Sequence, residues 1–230
     1  MFPIYTLIPL AAAYTISKTT KAACRVLRIG SNGRQYLLVL IVCGSAALSA
    51  MRAEAQRAYY AAPLQLYNDL STAALGHGPY TLPPARSSDG IRLVCVGNEW
   101  YRFPASFFLP DGKARLRFIR DGFQGQLPAH FTSAWPEGSR KVHDHFNGRN
   151  KEESSRYVKL SECDLLVDLL PIPGADDEQS RRALHRGLTP LRRYRFLDAA
   201  RSPGLTRALY VPGLSERRNA YAEYALLARG

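Results

Sequence analysis

Two uncharged, mostly apolar runs occupy the front of the chain, and short strand-like runs follow. Phe2 to Ile16 carries no charge, nor does Tyr36 to Met51, where Leu37 to Val42 is an unbroken aliphatic stretch. Each run is about 16 residues, or ~24 Å as a helix, at the short edge of what crosses a bilayer. Glu54 to Leu70 reads as a helix leaving that region, with Tyr59, Tyr60, Leu64, Leu66, Tyr67 and Leu70 as its apolar and aromatic positions. Pro63 either interrupts this helix or starts a second short one. Its tyrosines suit an interfacial aromatic belt or, equally, a small core. Gly76 to Gly90, with His77-Gly-Pro, Pro83-Pro84 and Ser87-Ser88-Asp89-Gly90, is a turn-rich connector.

Beyond the connector the period shortens. Ile91 to Val96 is aliphatic and ends at Gly97, which predicts a strand. Ala114 to Ile119 alternates, with Leu116 and Phe118 on one face and Arg115 and Arg117 on the other. Asp164 to Leu170 is a compact apolar run that stops before Pro171. Arg207 to Val211 and Ala220 to Ala228 are read as further strands, although the alanines and leucines of the last also suit a helix. Asp144 to Ser155 and Pro173 to Arg195 read as surface loops or short helices. The organisation expected is an apolar hairpin over 1–52, a juxtamembrane helix and linker over 53–90, and a small strand-rich α+β domain over 91–230. The last part is large enough to bury its own core.

Charge sharpens the first part. The 230-residue chain has a net charge of +12, and no acidic residue precedes Glu54. Lys18, Lys21, Arg25, Arg28 and Arg34 lie between the two apolar runs, and Arg52 follows the second. A short, purely positive loop is what positive-inside topology leaves in the cytosol. This predicts two membrane-spanning helices with both chain ends on the far side. Two alternatives stay open: buried helices of a soluble domain, or a signal-like segment with Lys18 to Arg34 as its charged region and Ala47-Leu-Ser-Ala50 near a cleavage point. Pro3 and Pro9 sit more easily in a membrane helix than in a soluble one.

The chemistry-bearing residues are sparse. Cys24, Cys43, Cys95 and Cys163 form no close pair of the zinc type. Cys95 and Cys163 are either bridged, in an oxidising compartment, or two buried thiols. His143-Asp144-His145 could turn two imidazoles to one side of a strand, but no third ligand follows by spacing, and a polar loop explains it as well. Glu99-Trp100-Tyr101-Arg102 fits a sugar-stacking cluster or, more simply, a half-buried strand end with an ion pair. Ser154-Ser155 beside Arg156 has no base placed by spacing. Arg181, Arg182, Arg186, Arg192, Arg193 and Arg195 suit nucleic-acid phosphates, anionic lipid, a diphosphate-bearing substrate, or most simply a solvated helix face. No nucleic-acid-binding motif and no glycine-rich phosphate loop accompanies them.

Three blocks carry a resemblance. They are Gly97-Asn-Glu-Trp-Tyr-Arg-Phe-Pro-Ala-Ser-Phe-Phe-Leu-Pro110, Phe123-Gln-Gly-Gln-Leu-Pro128, and Ser155-Arg-Tyr-Val158 with Cys163 to Asp168. Phe196 to Ser202 and Ala208 to Ser215 add to them. Together they resemble the C-terminal region of the α-1,2-mannosyltransferases of asparagine-linked glycosylation, in glycosyltransferase family 22. The resemblance implies a membrane enzyme of the endoplasmic reticulum with the C-type glycosyltransferase fold. Its partners would be dolichyl-phosphate mannose and the dolichol-linked oligosaccharide, with no nucleic acid involved. It implies inverting transfer with a lumenal carboxylate as base. In the family, a His-Lys-Glu-Glu-Arg-Phe element precedes a segment like Phe2-Pro-Ile-Tyr5, and the acidic catalytic loop lies further upstream. The expectation is therefore a C-terminal part, inactive alone, with its last two spans and a lumenal α+β domain. No catalytic, cofactor-binding or metal-binding residue is carried onto this chain. The alternative is a non-enzymatic, membrane-anchored lumenal binding or assembly domain. In an oxidising lumen, a Cys95–Cys163 bridge becomes the expected state.

Overall fold

The computed structural model describes residues 4–26, 28, 30–102, 105–131, 133, 136–142, 144–176 and 178–229. Helix α1 (Ile4–Val26) and helix α2 (Ser31–Tyr60) are in contact with each other. Lys18, Lys21 and Arg25 therefore extend α1 and do not form a loop, because no helix breaker intervenes before Gly30. Among the described residues one helix, Asn32–Tyr60, is long and apolar enough to cross a membrane, so the expectation of two such helices is met for one. Val39, Leu40 and Val42 are exposed, as are Leu7, Ile8 and Leu10 on α1.

The last two turns of α2 do not project freely. Ala55 and Tyr59 are buried, Tyr59 Oη donates to the Thr206 carbonyl at 2.9 Å, and Tyr210 N donates to the Met51 carbonyl at 3.0 Å. About 20 residues of α2 remain outside that contact, roughly 30 Å of helix, which matches a hydrocarbon core. Ala61 separates α2 from α3 (Ala62–Ala74), and Pro63 stands at the first turn of α3, where a missing N–H costs nothing. Pro63 thus starts a second helix. Tyr59, Leu66, Tyr67 and Leu70 are buried in the body, which favours the core reading of this segment over an interfacial belt.

The body is an α+β fold on one mixed sheet. Its strands are β1 (Arg92–Val96), β2 (Ala114–Phe118), β3 (Leu165–Leu169), β4 (Leu188–Leu197) and β5 (Tyr221–Arg229), in the order β2-β1-β3-β5-β4. β2, β1 and β3 run parallel, whereas β5 is antiparallel to both of its neighbours. Short helices fill the connections: α4 (Ala105–Phe108), α5 (Glu137–Arg140), α6 (Glu178–Leu184), α7 (Gly204–Ala208) and α8 (Leu214–Arg218). One sheet face packs Val94, Val96, Leu116, Phe118, Leu165, Val167 and Leu226 against Leu66, Tyr67 and Leu70 of α3. The other buries Cys95, Leu166, Ala225 and Leu227 with Leu184 of α6.

Two segments differ from their sequence reading. Arg207 to Val211 is not a strand: Gly204–Ala208 is helical, with Arg207 N bonded to the Pro203 carbonyl at 2.9 Å. The stretch from Pro173 to Arg195, read as loops or short helices, holds α6 and most of β4. Arg192, Arg193 and Arg195 disguise β4, whose stability comes from pairing along β5.

Candidate functional site

The chemistry of the body lies at two places along one sheet face. The first is at the carboxyl ends of the parallel strands, where ligands of open α/β sheets commonly bind. Asp168, on β3, is fully buried. It accepts hydrogen bonds from Arg181 of α6, from His185 Nε2 at 3.1 Å, and from Leu169 N at 2.8 Å. Arg181 also bonds Asp121 at 3.2 Å, and Asp121 accepts from Asn98 N at 3.2 Å. Gly97 permits this arrangement, since a Cβ there would stand 2.7 Å from the Asp121 side chain. The network bolts α6 and the β1 exit loop onto the sheet. Its groups are hydrogen-bonded to one another and nearly closed to solvent, so it is built to hold the fold.

Adjacent to it, Glu99 and Arg102 of the sequence-predicted cluster form an ion pair on a 3-10 turn, not at a strand end. Glu99 is 3% exposed. Burial pushes its carboxyl above the ordinary value, against the pull of Arg102. The Arg102 guanidinium lies 4.6 Å from the Phe196 ring centre, and Trp100 packs against Phe123 with ring centres 4.8 Å apart and planes tilted by 53°. The ion pair and the packing of Trp100 favour the structural reading of the cluster, although Tyr101 stays exposed.

The second place is the β2 edge. Here a cleft of about 690 Å³ is lined by Arg117, Ala129, His130, Lys141, Val142, Asp144, His145 and Arg156. His130 Nε2 is 3.0 Å from the Leu116 carbonyl, and Val158 N donates to the Phe118 carbonyl at 2.8 Å. These contacts cover the outer edge of β2, which would otherwise invite another strand, and the cleft opens beside them. Arg117, half-buried, has its pKa lowered by burial and by Arg115. Partial burial also lowers the pKa of His130, aided by Arg117 and Arg115 and opposed by the Leu116 carbonyl. His145 Nδ1 is 3.6 Å from a Glu153 oxygen, and His143 lies outside the described residues. Sequence reading named Arg117 only as an outward strand residue and did not single out Lys141 or His130. Their signal is visible only once β2 is known to be an edge.

The arginine group read as a solvated helix face is divided by the fold. Arg181 is buried in the Asp168 network, and Arg182 pairs with Glu178 on α6. Arg192 and Arg193 lie on β4 with Asp69 and Glu223 as partners, and Arg195 stacks 4.1 Å from the Tyr221 ring centre. Cys95 and Cys163 form a disulfide that closes a separation of 68 residues, with Cα atoms 5.8 Å apart. Cys24 and Cys43 are free.

A helix long and apolar enough to cross a membrane thus leads into an α+β body that carries a disulfide. Residues 1–110 match the family described as Alg9-like mannosyltransferase. That match covers a little under half of the chain, and the likeness to members of the family extends over nearly its whole length. It is 37% identical to the alpha-1,2-mannosyltransferase ALG9 of Mus musculus over 99% of its own length and 37% of that protein's. The Homo sapiens ALG9 gives the same values, and the Saccharomyces cerevisiae ALG9 is 32% identical over 92% of the chain and 36% of the relative. The chain thus spans little more than a third of the curated relatives it matches. No solved structure matches it.

Proposed function

We propose that the chain is the C-terminal part of an α-1,2-mannosyltransferase. The whole enzyme takes mannose from dolichyl-phosphate mannose and adds it to the dolichol-linked oligosaccharide precursor of N-glycans. The observation that carries this is the likeness to ALG9 α-1,2-mannosyltransferases over nearly the whole chain. In this reading α1 and α2 are the last two membrane spans of a C-type glycosyltransferase in the endoplasmic reticulum. Residues 53–90 lead into a lumenal domain over 91–230. The cations Lys18, Lys21, Arg25, Arg28 and Arg34 stay cytosolic, in keeping with the positive-inside rule. The disulfide supports a lumenal body.

The chain's own contribution is to fix the end of the membrane bundle to a rigid body, through Tyr59 and Tyr210. The carboxylate that activates the acceptor hydroxyl belongs to the upstream loop, so residues 1–230 alone transfer no mannose. A chimera tests the reading: this chain replaces the matching region of the mouse ALG9 in cells lacking that enzyme. Restored extension of the lipid-linked oligosaccharide is expected, and a folded, membrane-inserted chimera that leaves the precursor short overturns the assignment. Mannose transfer by purified residues 1–230 would refute inactivity alone. Protease added outside sealed microsomes is expected to spare the body, and its digestion would reverse the topology.

A further inference from the structure

We infer that the cleft beside β2, bounded by Arg117, Lys141 and Arg156, is a binding site for a small phosphate-bearing anion. The inference stands apart from mannose transfer, because it rests on how the body distributes its charges. Several arginines of the body meet carboxylates: Arg86 with Asp164 at 3.0 Å, Arg120 with Glu152 at 3.1 Å, Arg193 with Glu223 at 3.1 Å. Among the described residues no carboxylate pairs with Arg117, Lys141 or Arg156. Arg156 donates through Nη2 to the Asp144 carbonyl at 3.3 Å, while its Nε is buried with no acceptor among the described residues.

Half-buried cations without a paired carboxylate lose hydration that backbone carbonyls restore only in part. Arg117 and Arg156 are two such cations, and the exposed Lys141 joins them around one concavity; with Asp144 the sole carboxylate among the described residues of that lining, positive charge is in excess. Guanidinium groups present a planar fork of donors that suits phosphate oxygens, and lysine adds a mobile point charge. A volume of about 690 Å³ is in the range of small-molecule sites and exceeds what a lone monovalent ion fills. The class of ligand is therefore a phosphomonoester or diphosphate, borne either by a soluble molecule or by a lipid.

The test uses the full chain in nanodiscs of phosphatidylcholine, which carry no net charge. Inorganic pyrophosphate is titrated in by calorimetry at low ionic strength, and saturable one-to-one binding is expected. R117Q and R156Q are each expected to weaken it about tenfold or more. R193Q, on the opposite sheet edge, is expected to leave it unchanged. Absence of saturable heat overturns the site, and so does an R193Q loss as large as that of R117Q, which would mean diffuse attraction only. Nanodiscs doped with phosphatidic acid separate the sources. Loss of pyrophosphate binding there, restored by R117Q to the level that this variant shows in plain nanodiscs, assigns a lipid phosphate, whereas undiminished binding assigns a soluble ligand. Thermal melting accompanies each variant, and if R117Q does not fold, K141Q, altering an exposed side chain, carries the same comparison.

Discussion

The sheet face that carries Cys95 and Asp168 is closed at its centre and open at its β2 edge. The contrast between these regions separates charges that hold the fold from charges free to bind. At the centre, α6 lies over β3, and each ion has a partner: Asp168 meets Arg181 and His185, and Arg181 also meets Asp121. At the edge, Arg117 sits next to Cys95 in register, yet has no carboxylate partner among the described residues and lines the open cleft. The same residue type serves opposite ends because burial decides the cost of leaving it unpaired.

Breaking the closed side gives the largest effects. Asp168→Ala leaves Arg181 and His185 facing a void, and a loss of about 3–5 kcal/mol is expected in urea unfolding of the detergent-solubilised chain. An unfolding midpoint equal to that of wild type would show that the network is ornamental. Cys163→Ser opens the bridge to Cys95, and under non-reducing conditions the expected cost is about 2–5 kcal/mol. The bridge itself is checked by mass spectrometry of non-reduced peptides. Gly97→Ala forces its Cβ against Asp121 and is expected to cost about 1–3 kcal/mol, with Asn98 N losing its acceptor. Near-zero cost would mean that the β1 exit loop yields freely.

A subtler test concerns pH. Glu99 has its folded-state pKa raised, chiefly by burial and against the opposing effect of Arg102. The folded state therefore holds the proton more tightly than the unfolded state. Its contribution to stability is fully present below the ordinary value of 4.5 and is lost as pH rises through the folded value. Glu99→Gln removes this dependence. The stability of the variant relative to wild type is expected to increase with pH across that window, read from denaturation midpoints. A parallel pair of curves would contradict the assignment. The smallest effect belongs to the open side: Arg117→Gln is expected to change stability by no more than about 0.5 kcal/mol, or to raise it. A large loss there would erase the distinction between the two regions.

Some of this was legible in the residues alone. The aliphatic run from Leu37 to Val42, with only cations among the charged residues up to Arg52, marks a long apolar helix, and Asn32–Tyr60 is long and apolar enough to cross a membrane. Leu116 and Phe118 do face the core while Arg115 faces out, since strand alternation is local. The Cys95–Cys163 pairing was one of two open readings, and it needed β1 and the start of β3 to be neighbours.

What the chain determines by itself is the set of features with a short period: helical apolar runs, alternating strand faces, prolines that begin or end an element. β4 stayed hidden because its pattern of arginines and Pro190 makes sense only beside β5. The fates of Arg181, paired and sealed, and Arg117, unpaired beside a cleft, were decided by the strand order β2-β1-β3-β5-β4, which makes β3 central and β2 an edge. Local sequence records which side of an element a residue takes. The free energy of a charge depends on what stands across from it, and those partners come from 60 residues away for Asp121 and Arg181.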